Sequence, residues 1–145
     1  MLVELAIAFA GWVGAEAHMD IYVGAAPVAV APSTCHQRTV DRVMRVLPQK
    51  SPTRVLWADL DARQAWGLAF VDARAVVLST AVPCDLTAAV LTHEWAHQAT
   101  ADEFGGTQAQ ADNAIGRNSV ELVADCVGSV LTKKLGPVLD RKSVV

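Results

Sequence analysis

The stretch His93-Glu94-Trp95-Ala96-His97 constrains this chain more than any other. Positions i and i+4 of an α-helix stand one turn apart on the same face, so a helix here directs both imidazoles to one spot. Glu94, next to His93 in sequence, reaches the same neighbourhood from the side. The chain has only 4 histidines in 145 residues. A product of residue frequencies then gives about 0.004 chance matches to HExxH. The surrounding Ala89, Val90, Leu91 and Ala96 are apolar, which predicts a largely buried helix. A buried imidazole or carboxylate without a partner is costly, and a metal ion is the partner that suits this trio. The bland alternative, a solvated or capping His-Glu pair, fits that apolar setting poorly.

A second motif follows at Glu121-Leu122-Val123-Ala124-Asp125. Catalytic zinc usually takes three protein ligands and leaves its fourth position open. Glu121 can supply the third from another helix. Asp125 lies four residues on, shares that face, and can accept a hydrogen bond from the outer N–H of a ligating histidine. Glu103, Asp102 and Asp112 compete as third ligand. Glu103 stands at the metzincin spacing, but Thr100 occupies the position where that pattern has glycine. Glu121 is preferred because Asp125 accompanies it.

HExxH followed by ExxxD resembles the gluzincin metallopeptidases, and especially their minimal single-domain members, over roughly residues 53–136. The resemblance implies a zinc-dependent endopeptidase with one Zn²⁺ held by His93, His97 and Glu121. It implies Glu94 as general base toward the attacking water and then as acid toward the leaving amine, with Asp125 behind the zinc ligands. It also implies a peptide or protein substrate laid along an extended strand, here Trp66, Gly67, Leu68 and Ala69, running on to Phe70. Gluzincins often add a Tyr or His donor to the oxyanion. Tyr22, His18, His36 and Arg117 are the available groups, each better read as a surface or packing residue.

Two other functions compete. One is a zinc-binding module of zincin fold with little or no hydrolysis, although such a module has no need of Glu94. The other is a cytoplasmic protease that cuts a DNA-binding repressor, for which no recognition region is evident. A net charge of −3 and a pI near 5.7 argue against nucleic acid as the main partner.

An apolar share of 52% excludes a disordered chain, and 145 residues suit one domain with a real core. Residues 1–32 read as an apolar segment and linker, and 33–145 as the zincin-like domain. Ala15-Glu16-Ala17 resembles a small-x-small cleavage site, yet Glu4 stands where a signal peptide carries a cation. A signal peptide, a membrane-proximal anchor and a helix packed on the domain all remain open. Residues 1–17 offer the only route to a membrane. An exported or envelope-associated protein is expected, with a cytoplasmic one as the alternative.

The predicted architecture is α+β: an N-terminal helix, a small antiparallel three-stranded sheet, the active-site helix and a glutamate-bearing helix. Ser33 caps a helix over 34–47, and strands fall at 54–58, 66–71 and 75–79, the last two joined as a hairpin by Asp72-Ala73-Arg74. The zinc helix covers about 86–101, Gly105 to Arg117 reads as a loop, and a last helix over 119–135 stops at Gly136-Pro137. Three cysteines permit one disulfide plus one thiol, or three reduced thiols; Cys84 just before the zinc helix and Cys126 beside Asp125 on the other site helix form one candidate bridge. Cys35 is an equal competitor.

Overall fold

The structure, a computed structural model, describes residues 28–48, 53–60 and 66–140. It is α+β. In chain order the elements are β1 (Val28–Ala29), α1 (Thr34–Val46), β2 (Arg54–Asp59), β3 (Gly67–Phe70) and β4 (Ala75–Ser79). A 3₁₀ turn (Cys84–Leu86) then leads into α2 (Thr87–Glu103), followed by α3 (Gln108–Ile115) and α4 (Arg117–Asp140). Residues 1–17, read as a signal, anchor or packed helix, lie outside the described residues, as do Tyr22 and His18. No helix among the described residues is long and apolar enough to cross a membrane.

Ser33 caps α1 as expected, its hydroxyl accepting from the His36 N–H at 3.2 Å. The β3–β4 hairpin also forms, with Leu68 opposite Val77 and Phe70 opposite Ala75. The sheet differs from the expected antiparallel trio. Its order is β1-β2-β4-β3, and β2 runs parallel to β4. The reason lies in β4, Ala75-Val-Val-Leu-Ser, which is buried along its whole length. A strand apolar on both faces belongs in the middle of a sheet, so β2 pairs with it and leaves β3 outside. Val28–Ala29, within the segment read as linker, adds a short antiparallel edge on β2.

Two elements depart from the helix expectations. The stretch read as a loop contains α3, started by a capping box in which Thr107 and Gln110 satisfy each other's backbone N–H groups. Gly116, at φ 86, turns the chain directly into α4. That helix then runs through Gly136-Pro137. Gly136 is not among the positive-φ glycines, so it does not form the left-handed stop that ends many helices.

One face of the sheet carries the helices. Trp57, Val76 and Leu78 pack against Val40 and Val43 of α1, Leu91 and Trp95 of α2, and Leu135 of α4. Burying side chains of this size contributes about 1.5–3 kcal/mol each before entropy is counted. A smaller cluster of Val71, Ala101, Ala111 and Val120 seats α3 between the end of α2 and the start of α4.

The disulfide joins Cys35 to Cys84, with Cα atoms 6.2 Å apart. The Cys84–Cys126 alternative is not formed, because Cys126 lies on the exposed side of α4. Beside the disulfide, His36 Nε2 meets the Val82 carbonyl at 2.6 Å and its Nδ1 meets the Ser33 hydroxyl at 2.7 Å. Both ring nitrogens are therefore occupied, which gives His36 a structural role. Together the two links fasten the start of α1 to the approach to α2, whose first turn has no side-chain cap of its own.

Candidate metal centre

Helix α2 carries His93, Glu94 and His97, and α4 carries Glu121 and Asp125. The two helices approach closely because position 128 of α4 is glycine. A Cβ there would meet the His93 nitrogen and Cα, each at 3.1 Å. One turn away, the Thr92 hydroxyl reaches the Gly128 carbonyl at 3.3 Å and the Thr132 hydroxyl at 3.0 Å. This seam fixes the register of α4 on α2 and hence the height of Glu121 over the histidines.

One ligand atom each from His93, His97 and Glu121 lie within 4.8 Å of one another. Glu121 Oε1 is 3.4 Å from His97 Nε2, and its Oε2 is 3.7 Å from His93 Nε2. Donors bonded to one tetrahedral cation at about 2.0–2.1 Å stand roughly 3.3 Å apart along each edge. The observed separations are close to that spacing, so the cluster could hold a metal ion.

Asp125 Oδ1 lies 3.0 Å from His93 Nδ1. A proton on Nδ1 leaves the Nε2 lone pair free to ligate. Nδ1 of His97 is buried and has no hydrogen-bond partner among the described residues. Glu94 stands just outside the ligand set, its Oε1 3.9 Å from His93 Nε2 and its side chain only 12% exposed. Burial, with the Glu121 carboxylate as a second cause, pushes the Glu94 carboxyl up to about 8. Burial lowers His97 as well, against the opposing pull of Glu121. Two carboxylates crowded beside two imidazoles conflict when no cation is shared, and a bound cation removes the conflict.

The competing third ligands do not join the cluster. Asp102 is held by Arg74, whose Nη1 and Nη2 donate to its two oxygens at 2.8 and 3.1 Å. Asp112 accepts from Gln108 Nε2 at 2.8 Å. Glu103 is exposed near the far end of α2 and does not join the cluster. Arg117 opens α4 one turn before Glu121.

Strand β3 flanks the cluster. Trp66 is exposed just before it, and Gly67, Leu68 and Ala69 are half-buried. Gly67 lies against α2, where a Cβ would come 2.8 Å from Val90 Cγ1 and 3.1 Å from Glu94 Cγ. At the other end, the turn after β3 is tied down three ways. Arg74, at φ 51, pairs with Asp102, and its carbonyl accepts from the Arg54 N–H at 3.0 Å. Asp72 Oδ1 accepts from the Gln108 N–H at 2.9 Å. Gln98 joins when its amide is turned to donate to the Val71 carbonyl and accept from Arg74 Nη1, both at 2.9 Å. Among the described residues β3 pairs only with β4, and no other described strand lies along its outer edge.

Gly67, Gly128 and the Arg74–Asp102 pair position the site without belonging to either motif. The visible signal for Gly128 is a glycine inside an otherwise ordinary helix, which is destabilising unless a close approach requires it. Nothing local marks Arg74. Comparison with known proteins finds no match: none to a family model, none among curated proteins and none among solved structures.

Proposed function

We propose that this chain is a small zinc-dependent endopeptidase of gluzincin type. The observation that supports it most is the convergence of His93, His97 and Glu121 from two helices, with Glu94 beside them and outside the ligand set. Mixed nitrogen and oxygen donors in a set of three favour zinc among divalent cations. His93 and His97 would hold it through Nε2 and Glu121 through its carboxylate. Bound there, zinc supplies Lewis acidity toward a carbonyl and brings the pKa of a water toward neutrality.

The chain's own groups account for the proton transfers. Glu94 takes the proton of the attacking water on its carboxylate and returns it to the leaving nitrogen. That role requires Glu94 ionised, and a neighbouring cation favours the ionised form against the burial that opposes it. Asp125 holds the tautomer of His93. The outer edge of β3, through the backbone of Gly67, Leu68 and Ala69, pairs with an extended peptide and brings its carbonyl beside Glu94.

The test is cleavage of a quenched peptide library together with metal analysis. Wild type should cleave in a chelator-sensitive way and carry one zinc. Glu94→Gln should keep the zinc and lose roughly a thousandfold or more in turnover. His93→Ala should lose the zinc. Stoichiometric zinc with no cleavage anywhere in the library would favour the binding module, and absence of zinc would dismiss both readings.

A further inference from the structure

The two histidines of the candidate centre are supported unequally. His93 Nδ1 meets Asp125 Oδ1 at 3.0 Å, whereas Nδ1 of His97 is buried and meets no hydrogen-bond partner among the described residues. His97 is also the more enclosed of the two, its side chain 9% exposed against 27% for His93.

A neutral imidazole carries one proton. For Nε2 to offer its lone pair to a cation, that proton must stand on Nδ1. Ligation through Nε2 of His97 therefore places an N–H where nothing accepts it. A buried donor left unpaired weakens the state that requires it.

Three carboxylates act on His97 through space: Glu121, Asp112 and Asp125. Two of them are engaged, Glu121 at Nε2 of His97 and Asp125 at Nδ1 of His93. Asp112 has no part in the ligand cluster. It is half-buried on α3, and its neighbour Ala111 packs in one apolar cluster with Ala101 and Val120. Ala101 stands one turn beyond His97 on the same face of α2, and Val120 directly precedes Glu121. Helix α3 is thus seated against both ligand-bearing helices at the His97 end.

The Asp112 carboxylate accepts through Oδ1 from Gln108 Nε2 at 2.8 Å. Gln108 is a neutral amide one turn earlier on the same helix. An imidazole N–H polarised by a cation on the opposite ring nitrogen is the stronger donor and outcompetes it.

We infer that Asp112 accepts the Nδ1–H of His97 when the centre holds its metal, as a positioning residue that supports this ligand from α3 much as Asp125 supports His93 from α4. The inference rests on the metal-centre reading. It gives α3, which belongs to neither motif, a part in metal affinity.

Zinc affinity of the full chain by chelator competition, with proton–nitrogen spectra of the zinc form, tests it. Asp112→Ala should lower affinity about 10–100-fold, with little change in the melting temperature of the metal-free protein. Asp112→Asn keeps a side-chain oxygen that accepts and should lower it less. Gln108→Ala frees Asp112 and should leave affinity equal or higher. In the wild-type zinc form the His97 Nδ1 proton should give a slowly exchanging downfield signal. That signal should be lost in Asp112→Ala and move upfield in Asp112→Asn, which serves alone if the alanine variant does not fold. Unchanged affinity and an unchanged ring-proton signal in the Asp112 variants would overturn the inference and leave the metal centre standing. Equal losses in Gln108→Ala and Asp112→Ala would also overturn it, since the pair would then hold α3 and not His97. A wild type that takes up no zinc would sink the centre itself, and this inference with it.

Discussion

Gly128 of α4 rests on the backbone of His93 in α2, leaving no room for a side chain: a Cβ would sit 3.1 Å from both the His93 nitrogen and its Cα. Glu121 is two turns along the same helix, so the separation of its carboxylate from the two imidazoles depends on this contact.

Gly128→Ala should therefore act on the metal more than on the fold. Overpacking costs about 1–3 kcal/mol, while alanine recovers about 1 kcal/mol of helix propensity. The melting temperature of the metal-free protein should move little. Zinc affinity, measured by competition with a chromophoric chelator, should fall about tenfold. Unchanged affinity would show that α4 is not held in register here.

Without metal, stability should depend on pH through Glu94. Its carboxyl stands at about 8 in the folded chain against an ordinary 4.5. The folded state therefore binds this proton more tightly, a contribution fully present below 4.5 and lost as pH rises through 8. His97 is shifted down from 6.5, and its contribution is lost as pH falls. The two oppose each other in acid, and between 6.5 and 8 the Glu94 contribution is the one that changes among the shifted groups of the described residues. Urea unfolding in chelator should show a loss on the order of 2 kcal/mol between pH 6.5 and 8. Glu94→Gln should flatten that slope, and saturating zinc should do the same in wild type.

Arg74 and Asp102 fasten the turn after β3 to the end of α2. Arg74→Ala leaves Asp102 with a half-buried charge and should destabilise the domain by about 1–3 kcal/mol. Backbone exchange at Gly67–Phe70 should rise, with zinc affinity unchanged. If β3 seats the substrate, KM for a cleaved peptide should rise several-fold at constant kcat. A fall in kcat alone would mean that the turn serves stability only.

Replacing Cys35 and Cys84 by serine should lower stability by about 2–4 kcal/mol in the chain-entropy account of disulfides. The His36–Val82 link persists in that variant, so α2 should still begin at the same place. Thermal melts with and without zinc should show the same metal-induced increment in both proteins.

The parts of this fold governed by short-range rules were legible in the sequence. Ser33 caps α1, the hairpin turns at Asp72-Ala73-Arg74, and HExxH and ExxxD fall on facing helices. What escaped depends on competition between elements. Thr107 and Gln110 spell a capping box, but Gly105-Gly106 and the polar residues nearby outweigh it when the stretch is read alone. Gly136-Pro137 looks like a stop, and α4 continues through it. The partner of β2 was decided by which strand is buried on both faces, a property that exists only once the sheet is assembled. The disulfide was ambiguous for the same reason: spacing does not say that α1 lies beside Cys84.

The strand order bears on what the molecule can hold. A meander in sequence order would have walled β3 in between β2 and β4, with both rows of its amides committed. Because β4 slips between them, β3 becomes a rim, and that rim lies beside Glu94. The same hydrophobic run that makes Ala75–Ser79 the keel of the domain thereby sets which strand lies next to the candidate metal cluster.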